Sequence, residues 1–106
     1  MTGETPKTTI NVTPEARADI ERLDDFLWGQ NDPLAGDLYA YLIKVLRLLE
    51  RQPGVGRPVG SDLRELIIDW RRSGYLARYQ YRRESPIVTL LRIRHQSESG
   101  YTLDEI

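Results

Sequence analysis

Arginine is the residue type that gives this sequence its clearest potential for chemistry. Nine arginines fall between residues 57 and 94, against four acidic residues. The guanidinium group is planar and stays charged, and it binds carboxylates or phosphates through paired hydrogen bonds. This basic segment therefore indicates a surface for an acidic protein or for nucleic acid. The alternative is that the arginines point outward along strands and only solvate one face of a sheet.

His95 is the single histidine, and the sequence contains no cysteine. An imidazole with a pKa near 6.5 suits proton transfer at neutral pH, although a histidine at a strand end often makes only a structural hydrogen bond. One histidine and no cysteine exclude a multi-histidine metal site, disulfides, iron–sulfur clusters and a cysteine nucleophile. We expect no metal and no cofactor.

Three tyrosines, Tyr75, Tyr79 and Tyr81, alternate along one segment with Ala77 at the same spacing. Aromatic rings in this pattern can stack on nucleic-acid bases. A period of two next to an alanine is more typical of strand residues that pack on helices, and we favour that interpretation.

Two helices are predicted in the first half of the chain. Thr13 and Pro14 form a helix start, with threonine as N-cap and proline in the first turn, and the helix ends near Gly29. Its apolar stripe consists of Ala16, Ile20, Leu23 and Leu27. Asp32 and Pro33 repeat the start signal, and the second helix is predicted to end before Pro53. Its stripe is wide, so it needs a sheet to cover it; the central positions are Leu38, Leu42, Val45 and Leu49.

Strands are predicted at both ends of the chain. A short strand covers residues 8–12, and three more cover residues 63–70, 75–82 and 87–94, with residues 53–60 as a Gly- and Pro-rich connector. The predicted class is α+β with the order β-α-α-β-β-β, in which a helical hairpin packs on a mainly antiparallel sheet.

Length and composition favour one ordinary globular domain. The 106 residues are 40% hydrophobic and 29% charged, with no apolar run long enough for a membrane span. We expect a single domain over residues 1–106, with 1–7 and 97–106 as flexible tails. The first residues lack the apolar stretch of a signal peptide, which favours a cytoplasmic protein without membrane contact.

Four ordered segments resemble the RelE/ParE superfamily of toxins from type II toxin–antitoxin modules. They are GRPV at residues 56–59, LRELII at 63–68, GYLARY at 74–79 and LLRIRH at 90–95. The helix that begins ARADI at residues 16–20 is similar as well. The resemblance covers roughly residues 8–96, and it implies the same order of helices and strands.

The resemblance implies two possible activities and one shared partner. RelE-like toxins cleave messenger RNA, usually on the ribosome, whereas well-studied ParE-like toxins inhibit DNA gyrase without cutting RNA. A cognate antitoxin neutralises both. Here Leu76 stands where RelE-like chains carry an arginine after the tyrosine, and no arginine follows His95, where Glu98 lies instead. The sequence is therefore closer to the ParE branch, which needs no catalytic residue.

Each implied activity assigns residues. For a nuclease, Arg64, Arg78 and His95 are the candidates, because cleavage needs proton transfer and cations that stabilise the phosphorane. For a protein target, the candidate surface consists of Trp70, Arg71, Arg72, Arg78, Arg82, Arg92, Arg94 and His95. The second-helix stripe (Leu38, Leu42, Val45 and Leu49), at the helix junction, is the candidate antitoxin groove.

Three functions remain open from the sequence. The first is a gyrase inhibitor, the second a ribosome-dependent endonuclease, and the third an inactive toxin fold that only binds antitoxin. In each case the expected partner is a ribbon-helix-helix antitoxin with an amphipathic tail, and operator DNA is contacted only through that antitoxin.

Overall fold

The computed structural model describes residues 8–33, 35–71 and 73–98. The elements, in chain order, are β1 (Thr9–Val12), α1 (Pro14–Gly29), α2 (Asp37–Leu46), a 3₁₀ helix (Arg47–Glu50), β2 (Arg57–Gly60), β3 (Leu63–Trp70), β4 (Ser73–Tyr81) and β5 (Ile87–His95). The sheet has the order β1-β5-β4-β3-β2. β1 runs parallel to β5, and the other neighbours are antiparallel. The predicted α+β class is confirmed.

β2 is the one strand that the sequence did not predict. Residues 57–60 were assigned to a connector because of their glycines and prolines, but they pair with the start of β3. Pro58 is compatible with this position because β2 is the edge strand, where a missing N–H costs least. The register shifts between Pro58 and Gly60, so the pairing is short and irregular.

α1 begins where the sequence places it. The hydroxyl of Thr13 accepts a hydrogen bond from the Ala16 N–H at 3.1 Å. The same hydroxyl donates to the Leu90 carbonyl at 3.0 Å, which fixes the helix start to β5. Ala16, Ile20 and Leu23 are buried as predicted. Asp19 and Asp24, which lie outside the apolar stripe, are buried as well, and their carboxylates accept from the main-chain N–H groups of Ile93 and Gly36.

α2 begins four residues later than predicted, with Gly36 and not Asp32 at the N-cap position. Asp32 starts a turn instead, in which its carbonyl accepts from the Ala35 N–H at 3.0 Å. Gly36 then adopts a φ of 94°, which reverses the chain before Asp37, and glycine tolerates that conformation. The Asp24 carboxylate stabilises the turn by accepting from the Gly36 N–H at 3.0 Å and from the Trp28 indole N–H at 3.0 Å.

The core lies between the helices and one face of the sheet. Tyr75, Ala77 and Tyr79 point into it from β4, as their alternation predicts. From the helices, Leu38, Leu42 and Leu49 are fully buried against this layer. The Tyr79 hydroxyl links β4 to the segment before β2, since it donates to the Pro53 carbonyl at 2.7 Å and accepts from the Gly56 N–H at 2.8 Å. Burial raises the pKa of Tyr79 above its ordinary value, so the hydroxyl stays protonated.

The predicted tails lie mostly outside the described residues. Ser97 and Glu98 are described, and Glu98 accepts from the His95 N–H at 2.7 Å and from Arg22 at 2.7 Å. Within the described ranges, no helix combines the length and apolar character needed to cross a membrane.

A substitution at Gly56 tests the hydrogen bonds that the Tyr79 hydroxyl makes. A Cβ at Gly56 would lie 2.8 Å from the Tyr79 ring and hydroxyl, whereas a Cβ at Gly29 meets nothing within 4 Å. We expect Gly56→Ala to lower the free energy of unfolding by about 1–3 kcal/mol through overpacking. The matched control, Gly29→Ala, should leave it unchanged or raise it, as measured by urea unfolding. Equal stability of the two variants would contradict the role given to Tyr79.

Candidate functional site

The sheet face turned away from the core carries most of the strand arginines, and we call it the open face. Its side chains alternate with the core residues along the strands and include Arg57, Glu65, Ile67, Leu76, Arg78, Arg92 and Arg94. Arg78 lies directly opposite Arg92, and Leu76 lies opposite Arg94. Ile67, opposite Leu76, is 54% exposed. The open face therefore combines positive charge with an apolar centre.

Buried carboxylates organise these arginines. Glu65 is 4% exposed and accepts from Arg57 at 2.8 Å and from Arg78 at 3.4 Å. The Arg78 side chain is itself only 20% exposed. A carboxylate that accepts from two guanidinium groups holds both of them in fixed directions. Glu65 therefore fixes the positions of two positive charges on this face.

Asp19 on α1 makes the most extensive of these contacts. Its two carboxylate oxygens accept from Arg92 at 2.7 and 2.8 Å. One of them also accepts from the Ile93 main-chain N–H at 2.9 Å. Burial alone would raise the pKa of Asp19, but the hydrogen bonds from Arg92 and Ile93, with the charges of Arg92 and Arg22, hold it below the ordinary value. Asp19 therefore stays ionised and fixes α1 to β5.

Other predicted contact residues lie at turns. Arg71, with a φ of 59°, places its guanidinium carbon 5.7 Å from the centre of the half-buried Trp70 ring. Arg82 binds Asp62 at 3.0 Å on the surface. Arg72 lies outside the described residues. These side chains are therefore spread along the rim of the sheet and do not form one cluster.

His95 faces the opposite side of the sheet from Arg94. Its Nδ1 accepts from the Ser97 N–H at 3.0 Å, and its ring meets Tyr75 edge-on at 5.1 Å between centroids. Because Nδ1 is an acceptor, the neutral ring carries its proton on Nε2. The contacts described for His95 all lie at the end of β5 and stabilise it there.

The three nuclease candidates are not brought together. Arg64 lies opposite the buried Tyr79 and donates to the carbonyls of Gly54 and Gly56 at 3.0 and 2.7 Å, on the core side of the sheet. Arg78 points to the open face. His95 pairs with Tyr75, three positions or about 10 Å along β4 from Arg78. Two faces of the sheet separate these groups, so they cannot act on one phosphate.

The candidate antitoxin groove is not where the sequence placed it. Leu38, Leu42 and Leu49 are 0% exposed, because they lie in the core that the helices and the sheet enclose. Val45 is partly buried against the same core. These residues are core residues, and the prediction that they line an open groove is wrong.

A groove does exist at the junction of α1 with the ends of β4 and β5, and we call it the α1–sheet groove. Its volume is about 610 Å³, and its apolar lining includes Leu23, Phe26 and Tyr75. Asp25, His95 and Glu98 contribute polar edges. The sequence carried a signal for it, since Phe26 lies beside the apolar stripe of α1, but its partner strand ends could not be identified without the fold.

Comparison with known proteins identifies the family. A model described as the ParE toxin of type II toxin–antitoxin system, parDE, matches residues 10–100. The chain belongs to the ParE toxin family. It thereby also belongs to the RelE/ParE superfamily that the sequence resembles. No curated protein matches it.

Two solved structures share the fold of this ParE family member. One is the chromosomal ParDE toxin–antitoxin system from P. aeruginosa, with a TM-score of 0.69 and 20% identity over 86% of this chain and 98% of that chain. The other is the RelBE2 toxin–antitoxin complex from Mycobacterium tuberculosis, with a TM-score of 0.52 and 23% identity over 90% of this chain and 98% of that chain. At these identities the likeness concerns the fold alone.

Metal ligands are not grouped in the described part of this chain. Among residues 8–33, 35–71 and 73–98, no cluster of three or more His, Asp or Glu side chains has the spacing to hold an ion.

Asp19 gives a pH-dependent prediction. Because its folded-state pKa lies below its ordinary value of 3.8, its stabilising effect is present above that value and is lost as the pH falls through the lower folded-state pKa. Asp19→Asn should lower stability near neutral pH by about 3 kcal/mol, since it leaves Arg92 without its counter-charge. As the pH falls into the acid range, the variant should also lose less of its stability than the wild type does.

The control for this prediction is Asp25→Asn, an exposed acid on the same helix. Thermal and urea unfolding between neutral pH and strong acid measure both variants. If stability depended on pH in the same way in Asp19→Asn and in the wild type, the stabilising ion pair between Asp19 and Arg92 would be contradicted.

Proposed function

We propose that this chain is the growth-inhibiting toxin of a type II module, that it acts in the cytoplasm by binding DNA gyrase, and that a cognate antitoxin neutralises it. One observation carries the proposal: buried carboxylates hold Arg57, Arg78 and Arg92 in fixed positions on the open face, and Ile67 is exposed beside them. A positive surface next to exposed apolar area suits a protein partner, because charges steer the encounter and apolar area supplies affinity.

The same observation argues against messenger RNA cleavage. A metal-independent nuclease must place several cations and a proton donor around one phosphate. In this chain, Arg64 and Arg78 lie on opposite faces of the sheet, and Leu76 and Ile67 form an apolar pair in the middle of the open face. The proposed inhibitor therefore works by occupying its target and needs no catalytic residue.

The choice of DNA gyrase as target rests on the ParE family and not on a contact in this structure. The antitoxin partner has independent support, since both similar structures are toxin–antitoxin assemblies by description. We propose a ribbon-helix-helix antitoxin with an amphipathic tail for this chain too, and operator DNA contact only through it.

Ile67 tests the open face. We expect Ile67→Glu to reduce growth inhibition strongly, because a negative charge beside the open-face arginines repels an acidic partner and removes apolar contact area, whereas Ile67→Lys should retain most of it. Val55→Glu is the matched control, since Val55 is 45% exposed and lies off this face. The readouts are growth after induction without antitoxin, and gyrase supercoiling with the purified proteins.

The outcome also distinguishes gyrase inhibition from messenger RNA cleavage. Loss of supercoiling activity with intact messenger RNA supports the gyrase target. Rapid cleavage of translated messages, with supercoiling unaffected, would overturn it in favour of an endonuclease.

His95→Ala is expected to leave growth inhibition intact. The imidazole is engaged with Ser97 and Tyr75 at the end of β5, so its loss should cost about 1 kcal/mol of stability for the hydrogen bond and no proton-transfer step. Toxicity and thermal unfolding are measured on the same variant. A folded His95→Ala protein that has lost its toxicity would contradict the non-catalytic mechanism.

A further inference from the structure

We propose that the α1–sheet groove binds a segment of the antitoxin, and that this segment carries a large apolar side chain next to a lysine or arginine. The inference rests on the proposed function, which supplies the antitoxin, and it adds the location and the chemistry of the contact. The groove lies on the helix side of the sheet, away from the open face.

The apolar part of the inference comes from the walls of the groove. Phe26 lines it and is 66% exposed. A large aromatic side chain left in water at the edge of an apolar groove marks a contact surface more than a solvated face. With a volume of about 610 Å³, the groove holds one large apolar side chain together with its backbone.

The charged part comes from α1. Asp25 lines the groove, and Glu21 lies four residues earlier on the same side of the helix. Like charges at this spacing repel each other. Within the described ranges, neither carboxylate forms an ion pair, although Arg22 between them binds Asp19 and Glu98. A basic side chain beside the apolar one would relieve this repulsion, and an acidic one would increase it.

The groove is also preformed. Arg22 holds Glu98 at 2.7 Å across its opening, and Glu98 in turn accepts from the His95 N–H at 2.7 Å. A Tyr75 ring that is 4% exposed forms the floor. Little ordering is therefore needed on the toxin side when a segment binds, which favours affinity.

The test measures the affinity of the full chain for the purified antitoxin encoded beside it, by isothermal titration calorimetry. Phe26→Ala and Asp25→Lys should each weaken binding by about tenfold or more, as expected for an anchor and for a reversed charge at an interface. Ile67→Ala, an exposed apolar residue on the open face, and Glu84→Lys, an exposed acid on the turn before β5, are the controls and should stay within about twofold. Exchange of the partner's basic residue for glutamate should restore binding to Asp25→Lys.

Growth inhibition without antitoxin, measured on the same variants, separates this proposal from the toxin function. Phe26→Ala and Asp25→Lys should stay toxic but escape neutralisation. Wild-type affinity in both variants, or weakened binding in Ile67→Ala alone, would overturn the groove while leaving the toxin function standing. Loss of toxicity in both folded groove variants would assign the groove to the target and overturn the antitoxin assignment. A non-toxic wild-type chain would refute the toxin function, and the calorimetry would still decide whether the groove binds the neighbouring protein.

Discussion

The contact between Asp19 and the end of β5 is the constraint on which the arrangement of this ParE family member depends. β1 pairs with β5 only as far as Leu90, so the remaining edge of β5 needs another partner. α1 supplies it, because the Asp19 carboxylate accepts from the Ile93 N–H and from Arg92 at once. A hydrogen-bonded, charge-matched carboxylate can remain ionised in a buried position, and its removal would take a counter-charge from Arg92 and a hydrogen-bond acceptor from Ile93.

Two further buried acids play the same part elsewhere. Asp24 holds the chain reversal between α1 and α2 through Gly36 and Trp28, and Glu65 accepts from both Arg57 and Arg78. Arg57, Arg78 and Arg92 on the open face are therefore counter-charges for buried carboxylates. A partner therefore meets these arginines as a fixed pattern of positive potential. Side chains that are already bound to carboxylates cannot gather around a phosphate.

This division of roles leaves two different surfaces. The open face presents positive charge beside the exposed Ile67, whereas the α1–sheet groove presents Phe26 and Tyr75 beside Asp25 on α1. Both helices pack on the same side of the sheet, so the two surfaces face in different directions. A toxin that must meet both a target and an antitoxin gains from this separation, because each contact can then be tuned without loss of the other.

The sequence by itself determined the elements that local chemistry controls. Thr13 and Pro14 located the start of α1, and the alternation of Tyr75, Ala77 and Tyr79 located β4 and its buried face. The order of segments was enough to predict the fold class and the toxin superfamily. The helix start and the strand follow from caps and periodicity, which act over a few residues, whereas the superfamily was indicated by the resemblance of four segments.

Only the tertiary structure decided where charges and grooves lie. Asp19 and Arg92 are 73 residues apart in the chain, and no local pattern predicts that they contact each other. Residues 57–60 form a strand because they pair with the edge of β3, and Leu38, Leu42 and Leu49 are core residues because the helices and the sheet enclose them. Arg64 and Arg78 seemed equivalent in sequence, yet strand register sends them to opposite faces. Pairing between distant segments sets these outcomes, and it exists only once the chain has folded.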